Sequence, residues 1–166
     1  MNKTEVLEFL KTTGLEYEVV EHEAAATVEE INKLNVPHPE ARARNIFLCD
    51  DGKRNYYLLT LRELLPIRIT DFKQKIKSRH LSFASAEDLM NLMEIKKGSV
   101  SPLAVLNDTD CRIHVYFDAY YEGRLIGVHP NENTAMVFMQ CEDLAELLRA
   151  HGNQVDYVDL ESPVGE

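Results

Sequence analysis

The chain has 166 residues, enough for one domain of ordinary size. Apolar residues make up 45% and charged residues 28%, which excludes wholesale disorder, and no apolar run approaches the roughly 20 residues of a membrane span. A net charge of −10 disfavours a protein that coats nucleic acid indiscriminately, because neutralising phosphates needs a basic surface.

The first segment carries Val6, Leu7, Phe9 and Leu10 at helical spacing, with Asn2 and Glu5 placed to cap it and Gly14 to stop it. Residues 17–22 read as a short strand. Thr27 with Glu30 forms a capping-box signature for a second helix, which must end before Pro37. Residues 45–49 and 54–61 are β-prone runs on either side of Asp50-Asp51-Gly52-Lys53, a strong hairpin signal. Thr70 can cap a basic helix over residues 71–78, and Ser85 with Asp88 can cap another carrying Leu89, Leu92 and Met93. Gly98-Ser99-Val100-Ser101-Pro102 breaks the pattern and leads into Leu103–Leu106, read as the start of a strand. Residues 113–117, 125–129 and 134–139 read as strands, Cys141–His151 as an amphipathic helix closed by Gly152, and residues 155–158 as a last strand. The pattern predicts a single α+β domain over residues 1–160, with a mixed, mostly antiparallel sheet flanked by helices, and a frayed tail over 161–166.

Charge is unevenly spread. Residues 42–97 hold 12 bases and seven acids, a net of +5, whereas both flanks are acidic. This stretch is either ordinary solvated surface or a local footprint for a polyanion. Three dispersed cysteines, Cys49, Cys111 and Cys141, argue against a disulfide framework or a zinc knuckle, and a cytoplasmic setting is expected. The six histidines show no metal-ligand spacing; His114 reads as a strand histidine with a structural partner, and His22, His38, His80 and His151 as ordinary polar positions.

Hydrolase, zincin, P-loop and dinucleotide motifs are absent. Two loops remain. Gly98 followed by Ser99, Val100, Ser101 and Pro102 can turn successive N–H groups towards an anion or oxyanion, or be a plain turn. In Gly127-Val128-His129-Pro130-Asn131, a histidine at a strand end could face a cleft and orient water or a sugar hydroxyl, or be a turn residue.

Taken in order, Asn45-Ile46-Phe47-Leu48, the glycine loop through Ala104, and Gly127–Asn131 followed by Asn133-Thr134-Ala135 resemble the YbaK/prolyl-tRNA synthetase-associated family of aminoacyl-tRNA deacylases, most of all its free-standing editing proteins of the ProX/PrdX type. The resemblance implies the family's editing-domain fold. It implies hydrolysis, without metal or other cofactor, of the ester joining a mischarged amino acid to the 3′-terminal adenosine of tRNA. Alanine on tRNA(Pro) is the leading substrate and serine another small amino acid in range. By this analogy Gly98 supplies backbone N–H groups to the oxyanion and His129 holds the terminal nucleotide or the attacking water. Asn45, Ser99, Ser101, Pro102 and Asn131 line the pocket, and the ribose hydroxyl participates. The family commonly has lysine just before the Asn-Ile-Phe-Leu strand; here Arg44 stands there, with Arg42 as the alternative counterpart. Arginine can replace that lysine as a cation gripping phosphate or ribose, but not as a group that deprotonates. The partners implied are the tRNA acceptor end, bound transiently by the basic stretch with a steep salt dependence, and prolyl-tRNA synthetase, with no membrane. The other function classes are a non-catalytic module that binds tRNA or a synthetase, and a small-molecule sensor using the same pocket.

Overall fold

In the computed structural model, which describes residues 1–25 and 27–162, the elements follow capping chemistry closely. Helix α1 (Lys3–Thr13) opens on Asn2, whose side chain accepts from the Glu5 N–H while the Glu5 carboxylate accepts from the Asn2 N–H; it closes on Gly14 at φ 73°. Strand β1 (Tyr17–Glu21) leads to α2 (Val28–Lys33), capped by the Thr27 hydroxyl. Strands β2 (Ala43–Asp50) and β3 (Tyr56–Arg62) form the expected hairpin. The buried Asp50 carboxylate accepts from the Arg54 and Asn55 N–H groups and shapes the turn.

Helix α3 (Ile69–Ile76) starts at Ile69 after Arg68 rather than on a Thr70 cap. The earlier start lines Ile69, Phe72 and Ile76 along one face, and Phe72 is buried while the other two pack beside it. A three-residue strand, β4 (Leu81–Phe83), precedes α4 (Ala86–Met93), whose Ser85–Asp88 capping box is present. The run after Pro102 is a 3₁₀ helix, Pro102–Asn107, not a strand. Proline at its first position, the Ser101 cap and burial on every side favour a helical turn over an alternating strand. Strands β5 (Ile113–Asp118), β6 (Leu125–Val128) and β7 (Ala135–Gln140), helix α5 (Cys141–His151) and strand β8 (Val155–Val158) complete the chain.

The strands form two sheets. Antiparallel β1-β7-β6 stands beside β4-β2-β3-β5-β8, in which β4, β2 and β3 are antiparallel and the β3–β5 and β5–β8 pairs parallel. Among the described residues one isolated bridge, Arg42 to Gly127, joins them. The larger sheet is apolar on both faces: Phe47, Leu58 and Val115 enter the main core with α1, α4 and α5, while Ile46, Leu48 and Leu59 meet Phe72 of α3. A third cluster seats Ile31 and Val36 on Met136 and Phe138 of β7. Gly127 is small by necessity: a Cβ there would lie 2.6 Å from the Phe138 ring. His114 has its structural partner in Asp156, at 2.7 Å. In the expected tail, Glu161 pairs with Arg62 and the Ser162 carbonyl accepts from Lys75; residues 163–166 lie outside the described residues. No described helix is long and apolar enough to cross a membrane.

Candidate active site

Asn45 lies on β2 directly opposite Thr60 on β3. The Thr60 hydroxyl, fully buried, donates to Asn45 Oδ1 at 2.6 Å and so fixes the amide. Asn45 Nδ2 then donates to the Val100 carbonyl at 3.0 Å, pinning the glycine loop to the sheet. From the same loop the buried Ser101 hydroxyl donates to the His129 carbonyl at 2.5 Å and accepts from the Leu103 N–H at 3.1 Å. Two side-chain hydrogen bonds thus tie together three segments that are distant in sequence.

They wall a cleft of about 690 Å³. Arg44, Asn45, Gly98, Val100 and His129 line it, together with Glu63, Phe83, Lys97 and, from α2, Val28 and Ile31. Gly98 has φ 95°, a region L-residues rarely adopt, and a Cβ there would meet nothing within 4 Å. Its constraint is therefore backbone conformation, not space. The Ser99 N–H is used within the turn, bonded to the Lys96 carbonyl at 3.1 Å, while the Gly98 and Val100 N–H groups make no hydrogen bond to another described residue.

His129 Nδ1 lies 3.0 Å from the Ala135 carbonyl, which can only accept, so this nitrogen carries the proton. Burial lowers the imidazole pKa below its ordinary value, opposed by the Ala135 bond and reinforced by His22. The ring is therefore neutral at neutral pH, with Nε2 a lone-pair acceptor at the cleft. Arg44 donates to the Leu65 carbonyl at 2.6 Å and has no carboxylate partner among the described residues. Burial lowers its pKa too, yet a guanidinium stays charged throughout the working range. Arg42, by contrast, is 4% exposed, 3.1 Å from the Glu63 carboxylate and bonded to Asn32. It is a buried structural cation, and Arg44 is the one that faces the cleft. Burial raises the Glu63 carboxyl pKa, against the pull of Arg42.

Ser99, Ser101, Pro102 and Asn131 are not among the lining residues. Ser101 and Pro102 are buried and start the 3₁₀ helix; Asn131, at φ 65°, donates to the Met1 carbonyl at 2.9 Å. Sequence reasoning did not single out Glu63 or Phe83, counted Lys97 only within the basic stretch, and read His22 as an ordinary polar position. His22 stands 6.3 Å from the His129 ring, a proximity created by the pairing of β1 with β7 and invisible in any local motif. No described group of three or more His, Cys, Asp or Glu residues is placed to hold a metal.

The chain matches the aminoacyl-tRNA editing domain over residues 22–147. It is 35% identical over 159 residues to a prolyl-tRNA editing protein, ProX, of Acetoanaerobium sticklandii, covering 95% of this chain and 97% of that protein. It is 28% identical to the mouse prolyl-tRNA synthetase associated domain-containing protein 1, covering 91% and 92% of the two chains. Among solved structures, a candidate trans-editing enzyme for prolyl-tRNA synthetase superposes with a TM-score of 0.71 at 16% identity, covering 96% and 98%. The hypothetical protein APE2540 superposes at 0.69 with 19% identity, covering 95% and 99%. At such identities these two likenesses speak for the fold alone. With its sequence match over about three quarters of its length and the family's three blocks gathered on one cleft, the chain belongs to the aminoacyl-tRNA editing domain family.

Proposed function

We propose that this protein is a trans-editing hydrolase that removes a mischarged small amino acid, foremost alanine, from tRNA(Pro). The observation that carries the reading is the bracing of Asn45, the glycine loop and His129 around one cleft, with the His129 Nε2 and two backbone N–H groups left free for a ligand. An aminoacyl ester is already activated, so positioning and oxyanion stabilisation supply what the reaction needs; one oxyanion donor is typically worth about 3 kcal/mol.

In this reading the Gly98 and Val100 N–H groups receive the carbonyl oxygen as it gains negative charge. The neutral His129 Nε2 accepts a hydrogen bond from the attacking water and orients it, helped by the free hydroxyl of the terminal ribose. Water adds to the carbonyl carbon, the bond from that carbon to the ribose oxygen breaks, and the ribose oxygen leaves with a proton. Arg44 meets a phosphate or the ribose as a fixed cation. Val28 and Ile31 contribute an apolar wall that an amino-acid side chain would meet. The relative named a prolyl-tRNA editing protein, 35% identical, supports tRNA(Pro) as the carrier of the mischarged amino acid.

Purified protein is offered Ala-tRNA(Pro), Ser-tRNA and correctly charged Pro-tRNA(Pro). Deacylation of Ala-tRNA(Pro) well above the buffer rate, with Pro-tRNA(Pro) spared, is the expected result. No acceleration for any small amino acid, with tRNA binding retained, would replace the hydrolase with the non-catalytic binding module.

A further inference from the structure

Phe83 is 67% exposed, the one aromatic among the exposed large hydrophobic residues described, and it lines the cleft. A single exposed apolar side chain is commonplace. This one is unusual in how firmly it is held. Its residue pairs with Leu48 at the end of the edge strand β4, the next N–H donates to the Phe47 carbonyl at 3.0 Å, and the Ser85–Asp88 capping box follows at once. The backbone is thus fixed on both sides of a ring that nothing described covers. Lys97 and Arg44 line the same cleft, and neither has a carboxylate partner among the described residues. An exposed ring on a fixed backbone, beside cations without a carboxylate partner, fits a single-stranded nucleotide, which offers a base face and a phosphate together. An apolar peptide would leave both cations unanswered.

We propose that Phe83 is a stacking platform for the unpaired base immediately 5′ of the terminal adenosine. The proposal rests on the reading that an acylated RNA end enters this cleft. His129 is half-buried and Phe83 and Lys97 are exposed on the same cleft, so Phe83 is placed to meet the nucleotide that precedes one reaching His129. Phe83 acts here as a positioning residue, distant from the reacting atoms.

The test compares Ala-tRNA(Pro) with the alanyl ester of adenosine, which lacks the preceding nucleotides. Stacking of one base typically carries roughly a five- to 150-fold effect on affinity. Phe83→Ala is expected to raise KM for Ala-tRNA(Pro) by about tenfold, leaving kcat and all constants for alanyl-adenosine within about twofold. Phe83→Trp should behave as wild type, and Phe83→Leu should resemble the alanine variant. Equal losses on both substrates, no loss on either, or full rescue by leucine would each overturn the proposal. Should the wild type hydrolyse neither substrate, the hydrolase reading fails separately. Titration of an uncharged RNA ending in ACCA then decides the stacking: weaker binding by Phe83→Ala than by wild type supports it, and equal binding ends it.

Discussion

Replacing Ser101 with alanine separates a residue that builds the site from one that touches substrate. The side chain is fully buried, and its hydroxyl makes two bonds, to the His129 carbonyl and from the Leu103 N–H. Alanine deletes both without opening a cavity of note, and strands a buried acceptor and a helical N–H. A buried polar group left unpaired costs about 1–3 kcal/mol, and loss of a cap about 1 kcal/mol. The two overlap at Leu103, so a total of about 2–4 kcal/mol is expected, a sizeable part of the roughly 5–15 kcal/mol that holds a domain together. For a chain of this length that lowers Tm by roughly 5–15 °C. Urea unfolding should show a lower midpoint at unchanged slope. In single-turnover deacylation well below the new Tm, the rate should fall by about tenfold with KM unchanged, because the strand end carrying His129 loses its tether. An unchanged Tm together with a raised KM would refute the reasoning and make the hydroxyl a substrate contact.

Four further outcomes follow from the same geometry. His129→Ala should lower the plateau rate by about 10²–10⁴-fold without unfolding the protein. In the wild type kcat/KM should stay level through neutral pH and fall only in acid, below the ordinary imidazole value of 6.5, because burial favours the neutral ring; a break above that value contradicts the assigned state. Arg44→Met should cost more than tenfold in kcat/KM and Arg44→Lys only a few-fold, about what losing the Leu65 bond while keeping the charge implies; equal losses would mean that the planar fork itself grips the substrate. Gly127→Ala should destabilise by about 1–3 kcal/mol, read by thermal melting, since its methyl would meet the Phe138 ring at 2.6 Å and Met136 at 3.1 Å.

What the sequence displays best is what local chemistry decides. The caps at Asn2, Thr27 and Ser85 and the stop at Gly14 each satisfy helix-end groups with side chains a few residues away. Thr70 misled because the burial of Phe72, a tertiary effect, set where α3 begins. The three residues of β4 carry no periodicity of their own and exist because the edge of β2 needs a partner. The three site blocks were legible as a family pattern, but their division of labour was not. Sequence places Ser101 and Asn131 beside Gly98 and His129, whereas the fold turns the first two inwards, to a carbonyl on each of two distant segments. Glu63 and Phe83 reach the cleft through sheet register, which no motif encodes.

The basic stretch 42–97 gains a different meaning once its partners are known. Arg42 is matched by Glu63, Lys53 by Asp88, Arg62 by Asp118 and Glu161, and Arg79 by Asp51. Lys73 and Lys75 ride on α3, no residue of which lines the cleft. The cations that do line it are Arg44 and Lys97. Counterion release scales with the phosphates actually neutralised, with a slope of roughly −0.7 to −0.9 per contact. Two or three contacts at the cleft give a slope of log affinity on log salt between about −1 and −3. That is shallower than a +5 stretch suggests when read as one surface. A filter-binding series with uncharged tRNA checks it; a slope of about −6 or steeper would mean that the α3 lysines also meet the acceptor stem. A shallow slope on a body of net charge −10 has a functional sense. Under the proposed editing function, an acidic remainder that repels the rest of a tRNA would leave its end held by a few contacts at the cleft and quick to release, as inspection of many correctly charged molecules requires.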